Sequence, residues 1–257
     1  MKVLCSYLTH IGKVRENNED SILVNTEIIP YKDHPWQNTL LFDEKILLYA
    51  VADGMGGHAK GELASQTVLE VVKNSSNEIN DEENVKNIIF NAKICLDDIA
   101  NTEPNSIGLG STLTALLLKE KRGIIFHIGD SRLYSLNENS LKRITKDHSL
   151  VQNLLDNGLI DEDEMRTHPI KNILTSALIG DYREKMPEIF YEEIPIKKGD
   201  QFLLCTDGVW ESLSLAEMEE CMIQENQQEK LNSILERVLY YGARDNLSMI
   251  LLEILET

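Results

Sequence analysis

Two apolar runs of this chain each lead into an Asp-Gly pair. Residues 46–52 are followed directly by Asp53-Gly54, and residues 202–205 reach Asp207-Gly208 one position later. Short apolar runs bounded by turn residues predict buried strands, and a glycine after the aspartate lets a second backbone approach closely. We therefore expect strands that deliver carboxylates to a crowded strand end.

Two further aspartates occupy similar positions. Asp130 follows the apolar run 124–128, and Asp245 shortly precedes the apolar run 247–252. Any one of these aspartates alone is typical of a turn. Four of them at strand ends, with almost no cysteine or histidine nearby, indicate an oxygen-rich site for hard cations.

The composition limits the possible partners. The chain has 257 residues, 42% of them apolar, which is enough for a sizeable core. Its 25 basic and 43 acidic residues give a formal net charge of −18. This charge argues against binding to nucleic acid or to an anionic membrane, because both would be repelled.

The cysteines and the N-terminus indicate a cytoplasmic protein. The four cysteines are far apart and form no CxxC motif, so we expect reduced, mostly buried thiols rather than a disulfide framework or zinc ligands. No stretch of about 18 apolar residues predicts a membrane span, and the first residues lack the apolar run of a signal peptide.

Strand patterns dominate both ends of the chain. The expected strands are residues 3–9, 21–24, 39–42, 46–52, 112–118, 124–128, 133–136, 141–144, 189–194, 201–205 and 246–254. The expected helices begin at Glu62 and Asn84 and cover 214–225 and 228–241, with short helices at 150–155 and 161–165 in a polar insert over about 147–187. Without regular βαβ alternation, this order favours α+β layers in a single domain over residues 1–257.

The segment after the first strand adds two carboxylates and a guanidinium. In a strand, the side chains of Glu19 and Asp20 leave on opposite faces, so one could bind an ion directly while the other holds a metal-bound water. Arg15 supplies a planar fork that suits a phosphate. Taken alone, the segment is typical of a solvated acidic turn.

Six motifs in order then resemble a known family. They are Arg15 with Glu19-Asp20, Asp53-Gly54-Met55-Gly56-Gly57-His58, Gly110-Ser111-Thr112, Ile128-Gly129-Asp130-Ser131-Arg132, Asp207-Gly208-Val209-Trp210 and Arg244-Asp245-Asn246. This arrangement resembles the metal-dependent serine/threonine phosphatases of type 2C, the PPM family, over residues 6–253. The glycine-rich motif and the short chain resemble the bacterial branch.

The resemblance implies a fold and a metal centre. The fold would be a four-layer αββα sandwich, in which helices flank two antiparallel β-sheets. Asp53, the carbonyl of Gly54, Asp207 and Asp245 would hold two Mg²⁺ or Mn²⁺ ions, with Glu19 and Asp20 acting directly or through water. Asp130, together with Asp207, would hold a third, weaker ion.

The resemblance also implies an activity. A hydroxide shared by the metals would attack phosphoserine or phosphothreonine in line, while the metals and Arg15 neutralise the phosphate oxygens, without a phosphoenzyme. The partners would be phosphorylated proteins, and the cellular counterpart a serine/threonine protein kinase.

Two points stay open at this stage. Some relatives carry a histidine after the first Asp-Gly and assign it the role of general acid, but Met55 stands here, so that a metal-bound water or His58 remains as proton donor. Residues 147–187 resemble the flap of the family, which governs substrate choice. Ser176 stands where many members carry an arginine, so the flap contacts cannot be transferred.

Two other functions are compatible with parts of the sequence. Residues 54–59 match G-x-G-x-x-A after a strand, as in dinucleotide-binding enzymes, but Asp53 would face the pyrophosphate and no second βα unit follows. A catalytically inactive binding module of the same fold is the other alternative, although every matched metal ligand is present. Turnover of a phosphopeptide with Mn²⁺ that chelation abolishes would separate the three functions.

Overall fold

The structure is a computed structural model that describes residues 1–29, 36–56, 60–103 and 105–257. Its strands are β1 (Lys2–His10), β2 (Asp20–Val24), β3 (Glu27–Ile29), β4 (Trp36–Asp43), β5 (Ile46–Met55), β6 (Gly110–Ser111), β7 (Leu113–Lys119), β8 (Arg122–Ile128), β9 (Arg132–Asn137), β10 (Ser140–Arg143), β11 (Leu178–Ile179), β12 (Phe190–Pro195), β13 (Gln201–Cys205) and β14 (Leu247–Glu256). Its α-helices are α1 (Lys60–Asn74), α2 (Glu82–Thr102), α3 (Leu150–Asp156), α4 (Glu162–Thr167), α5 (Asp207–Trp210), α6 (Leu215–Cys221) and α7 (Gln227–Tyr240).

The strands form two antiparallel sheets. The first sheet has the order β10-β9-β13-β14-β1-β4. The second has the order β11-β6-β5-β7-β8-β12, and β2 pairs with β5 and with β3. Since every strand pair in the described residues is antiparallel, the parallel βα units of a dinucleotide-binding fold do not occur there.

Three apolar clusters separate four layers. One lies between the two sheets and includes Tyr49 and Leu204. A second lies between α1, α2 and the outer face of the second sheet, around Leu69 and Phe126. The third packs α5, α6 and α7 on the first sheet around Trp210. The predicted α+β, αββα sandwich is confirmed.

Helix ends follow local side-chain chemistry. The side chain of Asp81 accepts a hydrogen bond from the backbone N–H of Asn84 and so caps α2. Ser214 and Glu217 form a capping box at the start of α6. The helices were predicted from their apolar periodicity, and these caps explain where α2 and α6 begin.

The predicted elements differ from the observed ones mainly at their ends. The helix expected at 214–225 is shorter, namely Leu215–Cys221, and the helix expected at 228–241 lies one position earlier, at Gln227–Tyr240. The strands β3, β6 and β11 were missed, because two or three residues are too few to show an alternating pattern.

Three of the four cysteines, Cys5, Cys205 and Cys221, are buried, Cys95 is partly buried, and all four are free thiols. Within the described part of the chain, no helix is both long and apolar enough to cross a lipid bilayer.

Candidate metal centre and active site

Five carboxylates meet in a cavity of about 310 Å³ at one end of the sandwich. The cavity is lined by Arg15, Glu19, Asp53, Gly54, Met55, Gly56, Thr112, Asp130, Asn172, Leu174, Asp207, Asp245 and Asn246. Among these described residues Arg15 is the only cation. The strand-end aspartates singled out in the sequence therefore lie together, although 192 positions separate Asp53 from Asp245.

Strand pairing brings the first two acidic segments together. Asp20 at the start of β2 is directly opposite Asp53 near the end of β5. The backbone of Asp53 is held on its other side by Thr112, whose Oγ1 accepts a hydrogen bond from the Asp53 N–H at 2.9 Å. The N–H of Thr112 donates in turn to the carbonyl of Asp53 at 2.9 Å. Asp53 is thus fixed from two neighbouring strands.

Gly54 permits a close approach of three segments. Its N–H donates to the carbonyl of Glu19 at 3.1 Å. A Cβ atom at Gly54 would overlap the carbonyl of Gly61 in the first turn of α1, and a Cβ at Gly61 would overlap the carboxyl of Glu19. Backbone crowding therefore requires a glycine in the Asp53-Gly54 pair, as expected. Gly61 is a further requirement of the site that the sequence analysis did not identify.

Glu19 and Asp20 have different positions, as the strand geometry predicts. Glu19 lines the cavity, whereas Asp20 is buried behind it and its Oδ2 accepts a hydrogen bond from Thr206 Oγ1 at 2.8 Å. Thr206 precedes Asp207, so this hydrogen bond connects β2 to the end of β13. Only Glu19 of the pair faces the cavity directly.

Arg15 is engaged by Asp245. Its Nη2 donates to Asp245 Oδ2 at 2.6 Å, and its side chain is half-exposed. Among the described residues this is the only hydrogen bond that the guanidinium makes, so its remaining donors stay available to a ligand in the cavity. Arg15 is therefore placed as predicted, beside the carboxylates.

Asn246 holds the loop between β1 and β2 at the cavity. Its Nδ2 donates to the carbonyls of Ile11 and Asn17, both at 2.9 Å, and its Oδ1 accepts from the N–H of Glu19 at 2.9 Å. We infer that Asn246 positions Glu19 relative to Asp245. In the sequence Asn246 stands out only as part of the Arg244-Asp245-Asn246 motif, and its position next to Asp245 is the one signal of this role.

Burial and mutual repulsion dominate the electrostatics. Burial raises the pKa of Asp20 to about 7 and the pKa of Asp130 to about 7, and neighbouring carboxylates add to both shifts. Burial and the neighbouring charges also raise the pKa of Asp53 and of Asp207 well above the ordinary range. Burial raises the pKa of Glu19 as well. Buried carboxylates that repel one another at neutral pH call for a compensating cation.

The donor set fits divalent ions. Carboxylate and carbonyl oxygens are the ligands that Mg²⁺ and Mn²⁺ prefer, and two positive charges would offset the repulsion among these side chains. Among the described residues, however, no three His, Cys, Asp or Glu side chains are already arranged so that they could hold one ion.

The raised pKa values predict an unusual pH dependence of the metal-free protein. Between pH 5 and pH 8 the folded state binds more protons at these carboxyls than the unfolded state does, so the free energy of unfolding decreases as pH rises through about 7. We expect a loss on the order of a few kcal/mol over this range. Urea unfolding with a chelator at several pH values measures it.

Asp130→Asn removes one of these carboxyls, so the free energy of unfolding of this variant should decrease less steeply with pH. Excess Mn²⁺ should reverse the slope, because metal binding requires deprotonated ligands. A free energy of unfolding that rises with pH in the presence of chelator would contradict the assignment of strained, buried carboxylates.

The predicted flap reaches the cavity through two residues. Asn172 and Leu174 line it, and Lys171 forms an ion pair with Glu211, which lies just after α5. Ser176 is buried and its Oγ donates to the carbonyl of Glu188 at 3.1 Å, so its side chain is used within the insert. His58, the candidate general acid, lies outside the described residues.

An acid-lined cavity with one guanidinium, at the end of an αββα sandwich, is the architecture of a metal-dependent phosphatase. The family described as "Protein phosphatase 2C" matches residues 36–255 of the chain. The chain belongs to the protein phosphatase 2C family. The resemblance to the bacterial members of this family is thereby confirmed.

Relatives of known name agree with this assignment. The serine/threonine phosphatase stp of Listeria welshimeri is 31% identical over 257 residues, covering 96% of this chain and 94% of stp. The serine/threonine protein phosphatase PstP of Mycobacterium tuberculosis is 32% identical over 252 residues, covering 95% of this chain. This chain spans 44% of the length of PstP.

Solved structures show the same fold. The Mycobacterium tuberculosis phosphatase PstP/Ppp superposes with a TM-score of 0.80 at 31% identity, covering 99% of this chain and all of that one. The catalytic domain of PstP in complex with two manganese ions superposes with a TM-score of 0.78 at 30% identity, covering both chains fully.

Proposed function

We propose that this chain hydrolyses phosphoserine and phosphothreonine on proteins at the acid-lined cavity. The observation that carries this function is the cavity itself, where five carboxylates and one guanidinium meet at the end of the sandwich. Family membership and relatives named as serine/threonine phosphatases support it. In this proposal Asp53, the carbonyl of Gly54, Asp207 and Asp245 hold two divalent ions.

The other carboxylates support this centre. Glu19 and Asp20 act on the ions directly or through water. Glu19 does so from the cavity, and Asp20 from its buried position beside Thr206. Asp130 and Asp207 together would hold a third, weaker ion. Bound divalent ions would supply Lewis-acid chemistry, polarising the phosphate and lowering the pKa of water.

The chain's own residues orient the phosphate ester. Arg15 can offer parallel N–H donors to two phosphate oxygens and offset their charge, because a guanidinium matches that geometry. The flap residues Asn172 and Leu174 border the space in which the substrate side chain would lie. Asp207 is buried and Asp53 is half-buried, and this less polar surrounding strengthens these interactions.

We propose direct transfer of the phosphoryl group to water, without a phosphoenzyme. Thr112 carries the only hydroxyl among the described residues that line the cavity, and cysteine and histidine are absent from that lining. The Thr112 Oγ1 accepts from Asp53 N–H and contacts Ser131 Oγ at 3.0 Å. It is engaged in the framework rather than free to attack.

Arg15→Ala should chiefly weaken phosphate binding. We expect KM for a phosphopeptide to rise about 10-fold, since a charge-assisted pair is worth about 1.5–3 kcal/mol and the Arg15 side chain is half-exposed. Steady-state kinetics with saturating Mn²⁺ measure it. Arg15→Lys should recover only part of the loss because an ammonium lacks the fork. Unchanged KM and kcat would exclude the clamp.

A metal-dependence assay tests the function. Phosphoserine and phosphothreonine peptides are offered with Mn²⁺, with Mg²⁺ and after chelation, and phosphate release is measured. Turnover that requires either ion and disappears on chelation is expected. Lack of turnover with both metals would contradict the proposal and favour the alternative of an inactive binding module.

The cellular setting is proposed on the same basis. We propose that the chain acts in the cytoplasm and opposes a serine/threonine protein kinase, since its substrates must be phosphorylated there first. Coexpression with the kinases of its organism, followed by phosphoproteome comparison with an inactive Asp53→Asn variant, identifies the kinase and the substrates.

A further inference from the structure

A second cavity lies away from the acidic one, at the open side of the sandwich. There β10 is the outer strand of the first sheet and, within the described residues, β12 is the outer strand of the second. The space between them measures about 690 Å³, and we call it the edge groove. Its lining includes the apolar side chains of Leu136, Ile194 and Phe202, of which Leu136 and Phe202 are buried.

The edge groove has a positive net charge, whereas the chain as a whole is strongly negative. Its lining contains four cations, Lys142, Arg143, Lys197 and Lys198, and two carboxylates, Glu192 and Asp200. The whole chain has 25 basic and 43 acidic residues. A local excess of cations on so acidic a protein favours an anionic ligand at this place.

Three of the four cations are free to meet such a ligand. Arg143 is committed to Gln152 Oε1 at 3.0 Å and lies 3.6 Å from Asp147. For Lys142, Lys197 and Lys198, no carboxylate of the described residues lies within ion-pair distance of the ammonium group. All three are exposed.

The groove has a defined relation to the proposed active site. Phe202 lies on β13, five residues before Asp207, and Leu136 lies on β9, six residues after Asp130. At the rise of a β-strand these separations correspond to roughly 15–20 Å. An extended peptide covers that span in about five to seven residues.

We propose that the edge groove binds an acidic segment of the phosphoprotein substrate, about five to seven residues from the phosphorylated side chain. This inference rests on the proposed function. Charges further away than a Debye length of about 8 Å are screened. A short peptide in the groove therefore interacts mainly with the local lysines and little with the acidic surface beyond. A nucleic acid, by contrast, would extend over the surrounding acidic surface and be repelled. The apolar floor adds contact area for a peptide side chain.

The test compares two phosphothreonine peptides. One carries three glutamates six residues from the phosphothreonine, and the other carries glutamines at the same positions. This pair of peptides is made twice, once with these residues on the N-terminal side of the phosphothreonine and once with them on the C-terminal side. The variant is Lys197→Glu with Lys198→Glu, whose side chains are exposed and hold no described ion pair. The control is Lys45→Glu with Lys86→Glu, two exposed lysines outside the groove, of which Lys86 pairs with Glu82 on the surface of α2.

We expect the groove variant to lower kcat/KM for one of the glutamate peptides about 10-fold, as reversing nearby charges does at charged interfaces. Turnover of the glutamine peptide and of p-nitrophenyl phosphate should stay at the wild-type level. The control variant should process all substrates normally. An equal loss on the glutamate and glutamine peptides, no loss at all, or the same loss in the control would overturn the proposal.

Direct binding separates this proposal from the proposed function. Fluorescence anisotropy with an unphosphorylated glutamate peptide needs no catalysis, and we expect the groove variant to weaken its binding while the control does not. If the wild type hydrolysed neither phosphopeptide, the proposed function would fail. Anisotropy would still test whether the groove binds the acidic peptide. A concentration-dependent oligomer abolished by the groove variant would identify a second copy as the occupant and overturn the proposal.

Discussion

Asp207→Asn is expected to lower kcat for a phosphopeptide by about 100-fold or more, because Asp207 is a proposed metal ligand and losing a ligand should cost at least as much as losing a group that supports one. Asp207 lies at the start of α5, is buried, and faces the same cavity as Asp53 and Asp130. Asparagine keeps the size of the side chain and removes its charge. Steady-state kinetics over a range of Mn²⁺ concentrations measure the effect.

The same variant should not be less stable without metal. The pKa of Asp207 is raised by burial and by the charges of Asp53 and Asp130, so a neutral amide relieves repulsion that the wild type carries at neutral pH. The urea midpoint in the presence of chelator should therefore equal or exceed that of the wild type. Asp98→Asn, an exposed carboxylate on α2, is the control and should change neither quantity. Wild-type turnover of Asp207→Asn at saturating metal would refute the ligand assignment.

Gly208→Ala is expected to destabilise the fold by about 3 kcal/mol or more and to reduce activity with it. A Cβ atom at this position would overlap the backbone carbonyl of Asn246. Relief requires α5 to move away from the start of β14. Because Asn246 also holds the loop between β1 and β2 through Ile11, Asn17 and Glu19, such a movement would disturb the cavity.

Gly158→Ala provides a matched comparison for this prediction. Gly158 has φ of +66° with open space around it, so alanine there costs only the left-handed backbone conformation, about 1–2 kcal/mol. Chemical denaturation of both variants with chelator separates backbone overlap from backbone conformation. Equal losses of stability in the two variants would show that α5 and β14 can move apart easily. Crowding would then not require a glycine at position 208.

Local patterns explain why much of the fold and site could be predicted. The apolar runs that end in Asp53 and Asp207 are recognisable because a buried strand and its turn are encoded by neighbouring residues. The order of the motifs from Arg15 to Asp245 indicated the family. The assignment of individual ligands and the single domain over residues 1–257 remain predictions.

Other features could not be predicted because they depend on pairing between distant segments. The short strand β11 exists only because Leu178 and Ile179 find β6 as a partner. The role of Asn246 depends on carbonyl groups more than 200 positions away in the chain. No local periodicity reports either of these.

The sequence alone determined the chemistry available to this protein: carboxylates at strand ends, an arginine suited to phosphate, and a strong negative charge. Tertiary structure decided the arrangement, namely that Glu19 faces the cavity while Asp20 lies behind it, and that Lys142 meets Lys197 and Lys198 in the edge groove. The physical reason is range. Side-chain chemistry and strand or helix periodicity belong to neighbouring residues, whereas the meeting of distant segments is set by sheet register and by packing between layers.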